Sequence, residues 1–192
     1  MTAVRNYRYL SKEEYLQAEQ HAEYRSEFDN GEVFAMAGGS QQHAAIQGNL
    51  IGALYNALRG TNCTVYPSDL MVEVAATQSI LYPDVSVICG KPQKSDPDKS
   101  PVQNPCLIVE VLSQSSEAYD RGEKFRKYRQ LDSLREYVLV AQDRICVEAF
   151  QKNDNGDWLL CPALTTPEAE LELPSLGVAV SLREIYEKVI DD

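Results

Sequence analysis

The sequence predicts a single α/β domain in which helices pack on a mostly central sheet. Short apolar runs of strand length alternate with two amphipathic helical patterns, and no internal repeat is present. One run, "CLIVEVL", is apolar except for one residue, which is typical of a central, buried strand. The chain has 192 residues, of which 44% are hydrophobic, enough for one core. We therefore expect residues 1–192 to form one domain.

The N-terminal part predicts a helix, a hairpin and a second helix. Ser11 followed by Glu14 is a capping box, which starts a helix through about residue 22. "FDNGEVFAMAGG" predicts two strands joined at Asn30-Gly31, a pair suited to a tight turn. After Ser40, apolar residues recur at helical spacing until Gly60 stops the helix.

The middle of the chain predicts several strands and a loop. The strand-like runs are "CTVYPSDLMVEV", broken near Pro67, then "DVSVI", then "CLIVEVL". Residues 91–104 are polar and contain prolines, so we expect a loop that could form a mobile flap over a cleft.

The C-terminal part predicts one more helix, several strands and a short final helix. Asp120 and Glu123 form a box-like helix start, and the helix should run to about Leu131. "EYVLVAQ", "ICVEAFQK", "DWLLC" and "AELEL" predict strands, and Ser181 with Glu184 begins the last helix.

The cysteines and the N-terminus indicate where the chain resides. The five cysteines are widely spaced, contain no CxxC pair and lie mostly in apolar runs, so we expect reduced core thiols. The N-terminus has no apolar signal segment, and no run reaches membrane-spanning length. The cytoplasm is the expected location.

The charge distribution limits the ways of binding nucleic acid. A net charge of −11 argues against a protein that coats nucleic acid through a general positive field. Residues 121–135 nevertheless hold six Lys/Arg against two acids. This strip is either a local contact surface or a solvated helix face.

Glu110 is the one charged residue within "CLIVEVL". An unpaired buried carboxylate costs on the order of several kcal/mol, so a cation, a metal or a cleft should face it. Side chains alternate along a strand, and Glu110 lies near the C-terminal end, where open α/β sheets place their sites.

A second carboxylate and a lysine complete a possible constellation. Asp84 follows Pro83 and opens a short apolar strand, although a turn acid is the alternative interpretation. Lys124 falls about 40° from the inward stripe of its helix and can approach Glu110, whereas Lys127, about 100° away, should face water. Arg121 is a reserve candidate, and a structural Glu110–Arg121 ion pair is the competing prediction.

Two carboxylates and an inward lysine suit phosphodiester cleavage. The carboxylates of Asp84 and Glu110 would hold Mg²⁺ or Mn²⁺, hard cations that prefer oxygen ligands. The metal would polarise the phosphate and activate water, while Lys124 stabilises negative charge.

These residues also resemble a known family. "YPDVSVI" and "LIVEVLSQSSEAYDRGEKFRKYR" are similar to motifs of the Uma-type putative restriction endonuclease family, within the PD-(D/E)xK nuclease superfamily, over about residues 11–160. The resemblance implies a restriction-endonuclease-like fold with a central mixed β-sheet flanked by helices. Leu112 stands where the superfamily lysine would be, which makes Lys124 the substitute. Glu27 and His43 match the family's N-terminal acid and histidine, and would support the site.

Three functions follow as alternatives. The favoured one is a Mg²⁺-dependent DNA endonuclease, expected as a homodimer because two antiparallel strands suit a two-fold pair. The second is a catalytically inactive nucleic-acid- or protein-binding module of the same fold. The third is a structural domain in which Glu110 pairs with Arg121.

Overall fold

The computed structural model describes residues 9–36, 38–94 and 101–190. Its strands are β1 Ser26–Asp29, β2 Glu32–Ala35, β3 Cys63–Pro67, β4 Val72–Val74, β5 Ser79–Leu81, β6 Val85–Cys89, β7 Leu107–Leu112, β8 Glu136–Ala141, β9 Val147–Lys152, β10 Trp158–Leu160, β11 Glu170–Leu173 and β12 Val178–Ser181. Its helices are α1 Lys12–Glu19, α2 Gln41–Ala57, α3 Glu117–Tyr119, α4 Phe125–Tyr128 and α5 Leu182–Ile185, with a 3₁₀ turn at Ala75–Thr77 and a π-helical turn at Asp120–Lys124. None of the described helices combines the length and apolar character needed to span a membrane.

A six-stranded mixed sheet lies at the centre, in the order β10-β9-β8-β7-β6-β3. β7 and β8 run parallel, and the other neighbouring pairs are antiparallel. Every residue of β7 and β8 is buried, as expected for strands covered on both faces. This arrangement confirms the predicted α/β class with a central mixed sheet flanked by helices.

The two faces of this sheet bury different cores. Leu107, Val109 and Val111 pack on the face that α2, α5 and the β11–β12 hairpin cover. Ile108 and Leu112 pack on the opposite face, with aromatic side chains of the segment 117–128. We call that segment, which comprises α3, the π-turn and α4, the site helix. Because strand side chains alternate, Glu110 lies on the face of the site helix.

A second, four-stranded sheet has the order β2-β1-β5-β4. The predicted capping box of α1 is present, since Ser11 Oγ accepts from the Glu14 N–H and the Glu14 carboxylate accepts from the Ser11 N–H. The predicted turn between β1 and β2 is also present, because Asn30 and Gly31 adopt positive φ angles of 46° and 97°. β5 was not predicted, because a strand of three residues is too short to show an alternation of polar and apolar side chains.

The site helix begins earlier than the sequence predicts. Its first residue is Glu117, and Asp120 lies within the helix, at the start of the π-turn, where it caps nothing. The prediction of a capping box at Asp120 is therefore wrong. The acid that suggested a cap instead lines the cavity described below.

Two of the five cysteines correct the expectation of reduced thiols. Cys63 and Cys89 face each other across the β3–β6 pair and form a disulfide, although 26 positions separate them in the chain. Strand register brings them together, and sequence spacing does not show register. Cys106, Cys146 and Cys161 are free thiols, as predicted.

The predicted flap falls partly on residues 95–100, outside the described residues. The described ends of this loop contribute Gln93, Gln103 and Asn104 to a cavity beside Cys106. Cys106 precedes β7, whereas Glu110 lies near the other end of that strand. The described ends of the loop therefore lie at this cavity and do not line the cavity that contains Glu110, while the expectation of a mobile flap stays a prediction.

Candidate active site

Strand pairing brings the two predicted carboxylates face to face. Val85 pairs with Val109 in the antiparallel β6–β7 ladder, so Asp84 lies opposite Glu110. The Asp84 N–H donates to Glu110 Oε2 at 3.3 Å, and the Val111 N–H donates to Asp84 Oδ2 at 2.7 Å. Backbone donors of β6 and β7 therefore orient both carboxylates.

These carboxylates lie in a cavity of about 440 Å³ that gathers most of the chain's candidate residues. All five side chains predicted for the site line it: Glu27, His43, Asp84, Glu110 and Lys124. Asp120 also lines it and was not predicted as a site residue. Its i, i+4 spacing to Lys124 on one helix face is the signal that could have identified it.

Lys124 lies at the centre of the acidic cluster. Its Nζ is 3.0 Å from Glu110 Oε1, 3.3 Å from Glu27 Oε1 and 3.8 Å from Asp120 Oδ1. The ammonium also donates to the carbonyl oxygen of Tyr82 at 3.3 Å. With Lys124 only 6% exposed, protein acceptors rather than water surround its three protons.

The pKa values of three groups in this cluster are shifted, chiefly by burial for the two acids and by neighbouring carboxylates for the lysine. Burial, together with the neighbouring acids, raises the pKa of Glu110 well above its usual value, against the opposing effect of Lys124. Burial likewise raises the pKa of Asp120. Burial opposes the charge of Lys124, but the surrounding carboxylates, Glu110 first, raise its pKa well above the usual value. Each shift favours the protonated form of its group, which is the neutral form of the two acids and the charged form of Lys124.

His43 and Gln47 attach α2 to the Asp84 turn. Ser40 caps α2 by accepting from the His43 N–H, and His43 Nε2 lies 3.0 Å from Asp84 Oδ1. The Gln47 amide donates to the Asp84 carbonyl at 2.7 Å. The hydrogen bond to Asp84 raises the pKa of His43, against the opposing effect of burial. A helix side chain thus fixes one oxygen of the first carboxylate.

Lys127 does not face water, which corrects its predicted position. It is 2% exposed, and its Nζ lies 2.7 Å from Asp29 Oδ2 and 3.4 Å from the Tyr119 hydroxyl. The site helix packs on the central sheet and also against β1, so it has two buried sides. A helical wheel that assumes one inward stripe identifies only one of these two buried sides.

Arg121 does not pair with Glu110. Its guanidinium binds Glu117 at 2.8 Å and Glu148 at 2.5 Å. Glu110 contacts Lys124 within an open cavity instead. The prediction of a structural Glu110–Arg121 pair is wrong.

The donor set fits a divalent cation held by two carboxylates. Across residues 9–36, 38–94 and 101–190, no group of three or more His, Cys, Asp or Glu side chains is arranged to hold a metal ion. Asp84 and Glu110 are adjacent hard-oxygen donors in a cavity with excess negative charge. Mg²⁺ is usually held by one or two carboxylates and keeps several waters, so this pair meets its requirements.

The chain matches one family model and two proteins of Synechocystis sp. over most of its length. The model of the Uma2 family, "Putative restriction endonuclease", matches residues 12–183. The uncharacterized protein slr1290 of Synechocystis sp. is 40% identical over 92% of this chain and 91% of its own length. The uncharacterized protein sll1609 of the same organism is 37% identical over 93% of this chain and 100% of its own length.

A solved structure shares the fold. The crystal structure of a putative nuclease belonging to DUF820 from Anabaena variabilis superposes with a TM-score of 0.76. The match covers 94% of this chain and 99% of that chain at 15% sequence identity. The fold described above is therefore one that a putative nuclease adopts.

Proposed function

Because the chain belongs to the Uma2 family of putative restriction endonucleases, we propose that it is a metal-dependent DNA endonuclease that hydrolyses phosphodiester bonds. One observation carries the proposal: Asp84 and Glu110 lie opposite each other, with Lys124 Nζ 3.0 Å from Glu110, in one cavity. A protein that only bound phosphate would not need carboxylates at that position, because they repel it.

Each residue has a proposed role. Asp84 and Glu110 would hold Mg²⁺ or Mn²⁺, and the bound metal would polarise the phosphate and lower the pKa of an attacking water. Lys124 stabilises the negative charge that develops on the phosphate. Since the lysine's protons now face protein acceptors, it must exchange one acceptor for a phosphate oxygen.

Two further residues support this arrangement. Glu27 keeps Lys124 charged and directed into the cavity, from 3.3 Å. His43 Nε2 contacts Asp84 Oδ1, and the Val111 N–H donates to Asp84 Oδ2. The orientation of the carboxylate is therefore fixed through both oxygens.

The second candidate is a catalytically inactive binding module of the same fold. The enclosure of Lys124 favours it, because an ammonium surrounded by carboxylates is not free to meet a phosphate. The net charge of −11 also favours it slightly. This candidate predicts nucleic-acid or protein binding without cleavage.

The test is plasmid cleavage with Mg²⁺, with Mn²⁺ and with a chelator. We expect nicking or linearisation by the wild type with metal, and none by Asp84→Asn. Glu136→Gln is the matched control, because Glu136 is a buried carboxylate outside the cavity. A wild type that binds the plasmid and leaves it intact with both metals would establish the inactive module.

The assembly and location of the chain remain predictions. A homodimer would place two cavities about a two-fold axis, one for each DNA strand. Light scattering of the purified protein measures this, and a monomeric mass at working concentration would contradict it. One domain over residues 1–192 and a cytoplasmic location are likewise still to be tested.

A further inference from the structure

The mouth of the carboxylate cavity is lined by neutral hydrogen-bonding side chains. They come from the start of α2, from the loop after β7 and from the end of β8. The parallel pairing of β7 and β8 brings the last two to the same end of the sheet. We call this set the neutral rim: Ser40, Ser113, Gln114, Ser115, Ser116 and Gln142.

The same mouth is poor in cations. Among the described residues, Lys124 is the one Lys or Arg that lines the cavity, and carboxylates enclose it. Arg25 lies over the Tyr82 ring, 5.7 Å from its centroid, but it pairs with Asp69. The segments 38–45 and 111–120, which flank the mouth, contain no Lys or Arg at all.

The basic strip at 121–135 does not supply the missing charge. Four of its six cations are ion-paired within the protein: Arg121, Lys124, Arg126 and Lys127. Two of these, Lys124 and Lys127, are buried. Arg126, Arg129 and Arg135 are exposed, but Arg126 pairs with Glu123 and none of the three lines the cavity.

From this arrangement we infer that the cavity accepts an unpaired stretch of nucleic acid, held by the neutral rim through its bases and sugars. Affinity for duplex DNA rests largely on Lys and Arg contacts to phosphates, which this mouth does not offer. Unpaired bases expose edges that Ser hydroxyls and Gln amides can bind as donors and acceptors. Tyr119, on the cavity wall, adds an aromatic surface for a base.

The size of the cavity agrees with this substrate class. A volume of about 440 Å³ can hold one splayed nucleotide beside the carboxylates that line the same cavity. Cleavage of the bound strand rests on the proposed function, whereas its recognition by the rim does not.

The test compares one labelled oligonucleotide, single-stranded, with the same strand annealed to its complement. Binding is measured by fluorescence anisotropy with Ca²⁺, and cleavage with Mg²⁺. We expect the single strand to bind about tenfold more tightly than the duplex. Its affinity should fall by less than about tenfold between about 50 and about 200 mM salt, because few phosphates are neutralised by the protein.

Variants of the rim test the contact directly. Gln114→Ala and Gln142→Ala should each weaken single-strand binding by about fivefold, the effect of one lost hydrogen bond. Gln130→Ala is the control, because Gln130 is exposed and lines another cavity.

Four results of these experiments bear on the inference that an unpaired strand binds at the neutral rim. Tighter binding of the duplex, no binding of either form, or equal effects of all three variants would overturn it. Selective single-strand binding through the rim without any cleavage would support it and refute the proposed endonuclease.

Discussion

Lys124 has a structural task as well as its proposed chemical one. Its ammonium balances part of the charge of four acids that share the cavity. Removing one partner of a buried ion pair typically costs about 3–5 kcal/mol, because the other charge remains buried. Substitution of Lys124 is therefore expected to destabilise the fold as well as to change the site.

Lys127 therefore provides a matched control for Lys124. Both lysines are buried and ion-paired on one helix, but Lys127 binds Asp29 and does not line the cavity. We expect Lys124→Met and Lys127→Met both to lower the free energy of unfolding, and only Lys124→Met to abolish plasmid cleavage at a temperature where both remain folded. Denaturant titrations and cleavage assays measure the two effects. Loss of cleavage in Lys127→Met alone would transfer the role to Lys127.

The acidic cavity should make thermal stability depend on divalent metal. A cation between Asp84 and Glu110 offsets their repulsion, and a ligand that binds only the native state raises stability by mass action. We expect millimolar Mn²⁺ to raise the unfolding temperature of the wild type and of Glu136→Gln, but not of Asp84→Asn. Differential scanning fluorimetry measures this, and an equal rise in all three proteins would place the metal elsewhere.

Much of the site could be predicted from the sequence, residue by residue. Glu110 was identified by its charge within an apolar strand, and Asp84 by its position after Pro83 at the start of the preceding apolar strand. The five predicted side chains line one cavity, although their catalytic roles are still predictions. Asp120 was missed because Ser, Thr or Asp before a helix usually indicates a cap, and here the helix had already begun at Glu117.

At the scale of elements, the sequence correctly predicted features that depend only on residues a few positions apart. The capping box at Ser11 and the Asn30-Gly31 turn are both present, since each depends on neighbours in the chain. The burial of Lys127 was not predictable in the same way. It depends on β1, which lies almost a hundred residues earlier and covers the second side of the site helix.

The β1–β2 turn offers a test of such a local signal. Gly31 has φ +97°, and an added Cβ would come within 2.7 Å of the Tyr9 ring. We expect Gly31→Ala to lower the free energy of unfolding by about 1 kcal/mol or more, measured by denaturant titration.

Gly48→Ala is the control for this substitution. Gly48 is exposed in the interior of α2, and an added Cβ there meets nothing within 4 Å. Alanine should raise stability there by up to about 1 kcal/mol, because glycine is a poor helix former. Destabilisation of similar size at both positions would contradict the assignment of strain to the turn.

For the whole molecule, composition and alternation predicted the class of fold but not its second sheet. β4 and β5 join the β1–β2 hairpin through contacts across some fifty residues, and short strands of three residues have no period to detect. The disulfide escaped prediction for the same reason, because only the β3–β6 register aligns its two cysteines.

The disulfide should contribute measurably to the stability of the whole chain. Closing a loop of 26 residues lowers the entropy of the unfolded state, worth about 3–4 kcal/mol in the chain-entropy model. We expect a reductant to lower the free energy of unfolding of the wild type by roughly that amount. Cys63→Ser should be insensitive to reductant, whereas Cys161→Ser should respond as the wild type does. No response of the wild type would mean that Cys63 and Cys89 are thiols in solution.

The antiparallel pairing of β6 with β7 also determines where the chain can tolerate a change in length. Inserting one residue between Leu107 and Glu110 would turn the carboxylate toward α2 and present a valine to the cavity. Lengthening the connection between Cys89 and Cys106 leaves that alternation unchanged, because the paired residues of β6 and β7 lie before and after this connection. Insertions and deletions should therefore be harmful within a few positions of Glu110 and far better tolerated some fifteen residues upstream, a spatial pattern that a library of single-codon insertions would reveal.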